Sequence, residues 1–158
     1  MDAIVLLQLM QIPGIGHATL NRLLFRVQRN GMSPGDLLDM RPDDLVDQYN
    51  FQREWAESFL GGRRKSERMA EELAAHQIQI IPSDHPQYPT RLQEILGDGA
   101  PPVLFVRGNA DLLREHSAAV VGSRRCSLRG VKSARHCVRQ LVEKNLAIVS
   151  GNAAGVDA

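Results

Sequence analysis

The spacing of apolar residues divides the chain into two parts. Up to about residue 76, apolar positions recur at helical intervals and are interrupted by Pro and Gly. Asp2 is expected to cap the first helix, and Pro42 is expected to begin a later one. The pair Gly61-Gly62 is expected to weaken or bend the longest helix. The pattern predicts helices over residues 2–12, from about 18 to 27, 35–39, 42–49 and 52–76.

From residue 77 onward, short runs rich in Val and Ile predict strands separated by helices. The strands are predicted over residues 78–81, 103–106, 118–121 and 147–149, and the helices over 90–96, 111–115 and 128–144. Because residues 118–121 are continuously apolar, we expect that strand to be buried on both faces. Strand 118–121, helix 128–144 and strand 147–149 form a βαβ crossover, which requires parallel strands.

These elements predict an α/β protein, with an all-α domain over residues 1–76 and a Rossmann-like parallel half-sheet over residues 77–158. A doubly wound sheet normally contains further βα units. We therefore expect the chain to be the N-terminal part of a longer protein.

Composition adds a basic region to this picture. The net charge is only +1, but residues 118–158 carry seven Arg or Lys against two Asp or Glu. This asymmetry predicts a basic face, with a solvated helix face as the alternative. Aromatic residues make up 4% of the chain, which argues against broad stacking platforms.

The two cysteines lack metal-ligand spacing, and we expect Cys137 to be buried in a helix beside an exposed His136. The sequence shows no signal peptide and no apolar run long enough to span a membrane, so a cytoplasmic location is expected. It also lacks the GxGxxG fingerprint and the Walker lysine, and we expect no catalytic residue, metal or cofactor.

Two loops that follow predicted strands carry the candidate chemistry. In the first, Gly122 allows close approach of a ligand, Ser123 and Ser127 offer hydroxyls, Arg124 can clamp a phosphate, and Gly130 lies in the opening turn of the next helix. Arg125 and Arg129 are candidate secondary contacts. The alternative is an ordinary turn with a serine cap and exposed arginines.

The second loop repeats this chemistry with Ser150, Gly151 and Gly155. Because the carboxyl ends of neighbouring parallel strands meet at one edge, the two loops are predicted to form one crevice. Asp157 is expected to cap a helix there, with a hydrogen bond to a ribose-type hydroxyl as the alternative.

A third motif lies between the first two helices. The Pro-Gly turn that contains Gly14 and Gly16 resembles the helix-hairpin-helix motif, which holds DNA phosphates. Both glycines are candidate secondary DNA contacts. Since no Lys or Arg occurs in the five residues after Gly16, a packing role is the alternative.

Taken together, the motifs resemble the DNA-processing protein A family (DprA/Smf). The resemblance covers about residues 78–158. It rests on the following segments: Tyr88-Pro89 with Leu92 and Ile95, the run from Pro101 to Asn109, Val120 to Arg124 with Ser127, Gly130 and Ala134, and Ser150-Gly151 with Ala153 and Gly155 to Asp157. The N-terminal helices are similar to the family's smaller SAM-like domain.

The resemblance implies a non-enzymatic protein that binds single-stranded DNA without sequence preference, loads the RecA recombinase during natural transformation, and forms a homodimer when full length. The resemblance also implies that the phosphate contacts lie in the two loops that contain Gly122 and Gly151. The chain departs from the family at Ala154, where a basic residue is usual, and at Arg129, where an aromatic residue is usual.

Two other classes of function remain open at this point. Nucleotide-binding or nucleoside-phosphate processing enzymes share similar glycine-rich half-sheets, but they need a carboxylate pair, and none stands near the two loops. A protein-interaction module is the other alternative, with the N-terminal helices docking a partner.

Overall fold

The computed structural model describes residues 2–157. Over these residues the α-helices are α1 (Ala3–Met10), α2 (His17–Arg29), α3 (Pro42–Tyr49), α4 (Arg53–Gly61), α5 (Arg63–Ala75), α6 (Thr90–Leu96) and α7 (Leu128–Glu143). The strands are β1 (Ile78–Pro82), β2 (Val103–Arg107), β3 (Ser117–Ala119) and β4 (Ala147–Val149). Short 3₁₀ helices cover Pro34–Asp39, Gly97–Gly99 and Ala110–Arg114.

Local signals in the sequence account for where the helices begin and end. The Asp2 carboxylate accepts a hydrogen bond from the Ile4 N–H at 2.9 Å and caps α1. Pro42 occupies the first turn of α3, where its missing N–H costs nothing. The long helix predicted over residues 52–76 is divided at Gly62 into α4 and α5.

The described residues form two compact units that divide between Ala110 and Asp111. In the first unit a mainly aliphatic core joins the helices, with Leu6, Leu20, Val27 and Leu45 almost fully buried. Strands β1 and β2 pair antiparallel, with Ile80 opposite Phe105, and β2 adds Val103 to this core. The strand pair thus belongs to the helical unit, and a domain boundary after residue 76 stays a prediction.

A buried polar cluster connects α1 to the junction of α4 and α5. The Gln8 amide donates to the Phe59 carbonyl, and the Gln11 amide donates to the Ser66 hydroxyl at 3.0 Å. Ser66 is fully buried and donates in turn to the Gly62 carbonyl at 3.2 Å. The cluster thus adds side-chain donors to the Phe59 and Gly62 carbonyls, which also accept backbone N–H groups where α4 gives way to α5.

The second unit contains the predicted crossover. Strands β3 and β4 pair in parallel, with Ala118 opposite Ile148, and α7 connects them. The α/β class is therefore confirmed. The assignments of the sheet as Rossmann-like and of the helices as SAM-like stay predictions.

The prediction that residues 118–121 form a strand buried on both faces is wrong. Strand β3 covers only Ser117–Ala119, and the Val121 side chain is 73% exposed. Within the described residues β3 has β4 as its strand partner, so one edge and part of its surface lack a neighbour. Cys137 was also expected to be buried but is exposed on α7, because the half-buried stripe of that helix passes through Val131, Ala134, Val138 and Leu141 instead.

We expect Ser66→Ala to lower the free energy of unfolding by about 1 kcal/mol, because it removes a buried hydroxyl with two hydrogen-bond partners. Ser58→Ala, at an exposed position of α4, is the matched control, since it makes the same change in helix propensity. Urea unfolding followed by the fluorescence of Trp55, which lies in the same unit, measures both. Equal stability of the two variants would contradict the role assigned to the cluster.

Candidate functional site

The two loops predicted from the sequence lie side by side in the second unit. The first glycine loop (residues 120–127) follows β3, and the second glycine loop (residues 150–157) follows β4. The Val120 N–H donates to the Val149 carbonyl at 2.9 Å, which extends the parallel pairing by one residue. Further along, the Val156 N–H donates to the Ser123 carbonyl at 3.2 Å. The parallel strands thus bring their carboxyl-end loops into direct contact.

The Asp157 carboxylate joins the two glycine loops. One of its oxygens accepts from the Gly122 N–H at 3.1 Å, and the other accepts from the Gly151 N–H at 3.2 Å. The Ser150 hydroxyl donates to the Asp157 carbonyl at 3.0 Å. The Asp157 carboxylate therefore bridges two backbone amides in two different loops, and the expectation that it caps a helix stays a prediction.

Two glycines allow the loops to approach each other. A Cβ atom on Gly122 would lie 2.7 Å from the Cβ of Val156. Gly155 has a φ of +103°, and a Cβ there would lie 2.7 Å from the Cα of Arg124 and would overlap the Ser123 carbonyl oxygen. From the sequence, these glycines are predicted to allow the close approach of a ligand. In the structure their close contacts are between the loops themselves.

The serine hydroxyls of the first loop have partners within the protein. The Ser127 hydroxyl accepts from the Gly130 N–H at 3.1 Å and so caps α7. The Ser123 hydroxyl accepts from the Arg125 N–H at 3.2 Å and donates to the carbonyl of the same residue at 3.1 Å. These bonds shape the turn, and they leave the cationic side chains as the main unengaged polar groups of the loop.

Four cationic side chains surround the start of α7: Arg124, Arg125, Arg129 and Lys132. All four are exposed, and none makes a side-chain hydrogen bond or an ion pair within residues 2–157. Arg129 and Lys132 lie on neighbouring turns of α7, whose N-terminal end carries a partial positive charge. This end of the unit therefore favours an anionic ligand.

The candidate contacts Gly14 and Gly16 belong to the first unit, in the turn between α1 and α2. Gly14 has a φ of +83° after Pro13, and the Ile15 N–H donates to the Ile12 carbonyl at 3.3 Å, as in a type II turn. Both glycines are exposed.

Across residues 2–157, the His, Cys, Asp and Glu side chains form no group of three or more that could hold a metal ion. No helix in the same range has both the length and the apolar character needed to cross a membrane.

The parallel strands β3 and β4 bring two glycine loops to one edge of their sheet. This arrangement is typical of the class of α/β proteins in which the ligand crevice lies at the carboxyl ends of parallel strands. The family model for DNA recombination-mediator protein A matches residues 79–158, which is half of the chain. The chain belongs to the DNA recombination-mediator protein A family.

Relatives and a solved structure agree with this assignment. The chain is 50% identical over 70 residues to DNA processing protein DprA of Streptococcus pneumoniae, covering 44% of the chain and 24% of that protein. It is 30% identical over 156 residues to Protein Smf of Synechocystis, covering 94% of the chain and 37% of that protein. The X-ray structure of DprA from Streptococcus pneumoniae matches 99% of the chain with a TM-score of 0.69 and 28% identity.

The chain spans less than two-fifths of the length of these curated relatives and 51% of the solved chain.

We expect Asp157→Asn to loosen the contact between the glycine loops, because an asparagine has one acceptor oxygen where the carboxylate has two. Hydrogen bonds to a charged group are worth about 1.5 kcal/mol, so exchange of the Gly122 or Gly151 amide, whichever loses its acceptor, should accelerate about tenfold.

Amide hydrogen exchange measured by NMR tests this expectation, with the Val120 amide as an internal reference because its partner is the Val149 carbonyl. Glu143→Gln removes one negative charge from the same unit away from the loops and serves as the control. Unchanged exchange of both glycine amides in Asp157→Asn would contradict the bridge.

Proposed function

We propose that this chain is part of a recombination mediator that binds single-stranded DNA without sequence preference, at the start of α7 and along the glycine loops. The observation that carries the proposal is the group of four exposed, unpaired cations at an edge where two loops converge. Membership of the recombination-mediator family and the relatives named for DNA processing support it. In the complete protein we propose RecA as the partner and a homodimer as the assembly.

The donors in this region favour contacts with phosphate rather than with bases. Residues 111–157 contain no Phe, Tyr or Trp, so this unit offers no aromatic surface on which a base could stack. Its arginines and lysines can bind the phosphates of a strand of any sequence. Binding without sequence preference follows from this chemistry.

The bridge by Asp157 determines which groups are left for phosphate. The amides of Gly122 and Gly151 already donate to the Asp157 carboxylate, so they are engaged within the protein. The contacts then come from Arg124, Arg125 and the first turn of α7. A carboxylate engaged in this way serves as a structural acceptor, which favours a binding role over catalysis at these loops.

We expect Arg124→Ala to weaken binding of single-stranded oligonucleotides about tenfold for every base composition, because it removes a charge-assisted phosphate contact. The slope of log K against log salt should become shallower by about 0.7, the value for one phosphate on a single strand. Fluorescence anisotropy with labelled thymidine and adenosine oligonucleotides over a salt series measures both quantities.

Arg114→Ala removes the same charge from the same unit outside the glycine loops and is the matched control. If both variants lose the same affinity and slope, the effect is one of net charge, and the assignment of Arg124 to the site is wrong. Lack of binding by the unsubstituted chain would overturn the proposed function.

The departure at Ala154 provides a test in the opposite direction. Ala154 is exposed in the second glycine loop, at the position where the family resemblance implies a basic residue. Ala154→Arg should strengthen oligonucleotide binding several-fold and steepen the salt slope by about 0.7. Ala154→Gln is the control for side-chain size, and equal binding by the two variants would remove the second loop from the proposed interface.

A further inference from the structure

A groove in the first unit combines three aromatic residues, Trp55 among them, with two arginines. Its volume is about 370 Å³, within the usual range for sites that hold a small molecule. We propose that this groove binds one nucleotide of a single-stranded nucleic acid, as a second site separate from the glycine loops. The groove residues used in the argument are Thr19, Arg22, Arg26, Asn50, Gln52 and Trp55.

Trp55 supplies the surface on which a base can stack. It is half-buried and packs on the core of the first unit, so the indole is held in place while part of it lines the groove. Every base has a π-face, and stacking on a fixed aromatic ring is therefore tolerant of sequence. Stacking is the component of single-strand binding that the second unit lacks, since residues 111–157 contain no aromatic residue.

Arg22 and Arg26 supply the positive charge. They lie four residues apart on α2 and so on one face of the helix. The Nε of Arg22 donates to the Ala18 carbonyl at 3.2 Å, which orients its guanidinium. Arg26 makes no side-chain hydrogen bond or ion pair within residues 2–157. Both guanidinium groups can therefore receive a phosphate.

The charge of the groove is not neutralised from within. None of the residues that line it is Asp or Glu. The remaining polar groups, the Thr19 hydroxyl and the amides of Asn50 and Gln52, can donate to and accept from the edge of a base or a sugar. Two cations, a fixed aromatic ring and neutral amides match the phosphate, base and sugar of a nucleotide.

The hairpin motif predicted from the sequence contributes one residue to the groove. Ile15, in the turn that carries Gly14 and Gly16, is one of the residues that line the groove. No cation occurs in the five residues after Gly16, but Arg22 is the sixth and Arg26 follows one helical turn later. Helix α2 thus supplies to the groove the positive charge that the five residues directly after Gly16 lack.

Trp55 is the sole tryptophan of the chain, so its fluorescence reports directly on the groove. Titration with an unlabelled thymidine oligonucleotide should quench this fluorescence. Arg26→Ala should weaken the quenching titration about tenfold. Arg29→Ala, on the same helix but outside the groove, should leave it unchanged. Absence of quenching, or equal titrations for the two variants, would overturn the proposal.

Titrations with other ligands and with Trp55 variants distinguish a bound strand from other occupants of the groove. If thymidine monophosphate binds with the same affinity as the oligonucleotide, as measured by quenching, the ligand is a free nucleotide and not a strand. That result would overturn the proposal. Quenching by a glutamate peptide instead of the oligonucleotide would overturn it in favour of an acidic protein partner. Trp55→Phe, which keeps an aromatic ring on the core, should retain most oligonucleotide binding by anisotropy, whereas Trp55→Leu should lose more.

The groove and the glycine loops can fail independently. If Arg124→Ala leaves oligonucleotide affinity unchanged while Trp55 is still quenched in an Arg26-dependent way, the proposed function of the loops is wrong and the groove stands. If Arg124→Ala abolishes the quenching of Trp55, the groove is not a separate site.

Discussion

The carboxylate of Asp157 holds together the part of the molecule on which the proposed function depends. Strands β3 and β4 contribute three residues each, so their ladder alone is too short to fix the loops that follow. By accepting one amide hydrogen from each loop, Asp157 links Gly122 to Gly151 across the end of the strand pair. The close approach at Gly155, which a side chain would prevent, then fixes the distance between the loops.

This bridge also determines the electrostatics of the site. In many phosphate-binding turns the glycine amides point at the ligand. Here the amides of Gly122 and Gly151 point instead at the Asp157 carboxylate, which places a negative charge between the two loops. A phosphate is therefore favoured at the rim, beside Arg124 and Arg129, where exposed cations outnumber the one carboxylate. Contacts through long side chains at a rim suit a ligand that is held without regard to sequence.

Local chemistry explains how much of this could be predicted. The cap at Asp2, the start at Pro42 and the break at Gly62 follow from residues within one helical turn, and the convergence of the two loops follows from the parallel crossover. The bridge could not be predicted in the same way, because Asp157 and Gly122 are 35 residues apart and either could have had another partner. The exposure of Val121 was missed for a related reason, since burial depends on which elements cover a strand rather than on its own composition.

The two units offer complementary parts of the chemistry that single strands require. The second unit carries unpaired cations and no aromatic residue, whereas the groove of the first unit places Trp55 beside Arg22 and Arg26. Contacts to phosphate weaken as salt rises, because they depend on the release of counterions, but stacking on an aromatic ring does not depend on that release. A chain that used only the cations of α7 would release its strand as the salt concentration increased. A nucleotide stacked in the groove would keep part of the binding free energy at the same salt concentration. The first unit would then contribute binding that the glycine loops alone lose as salt rises.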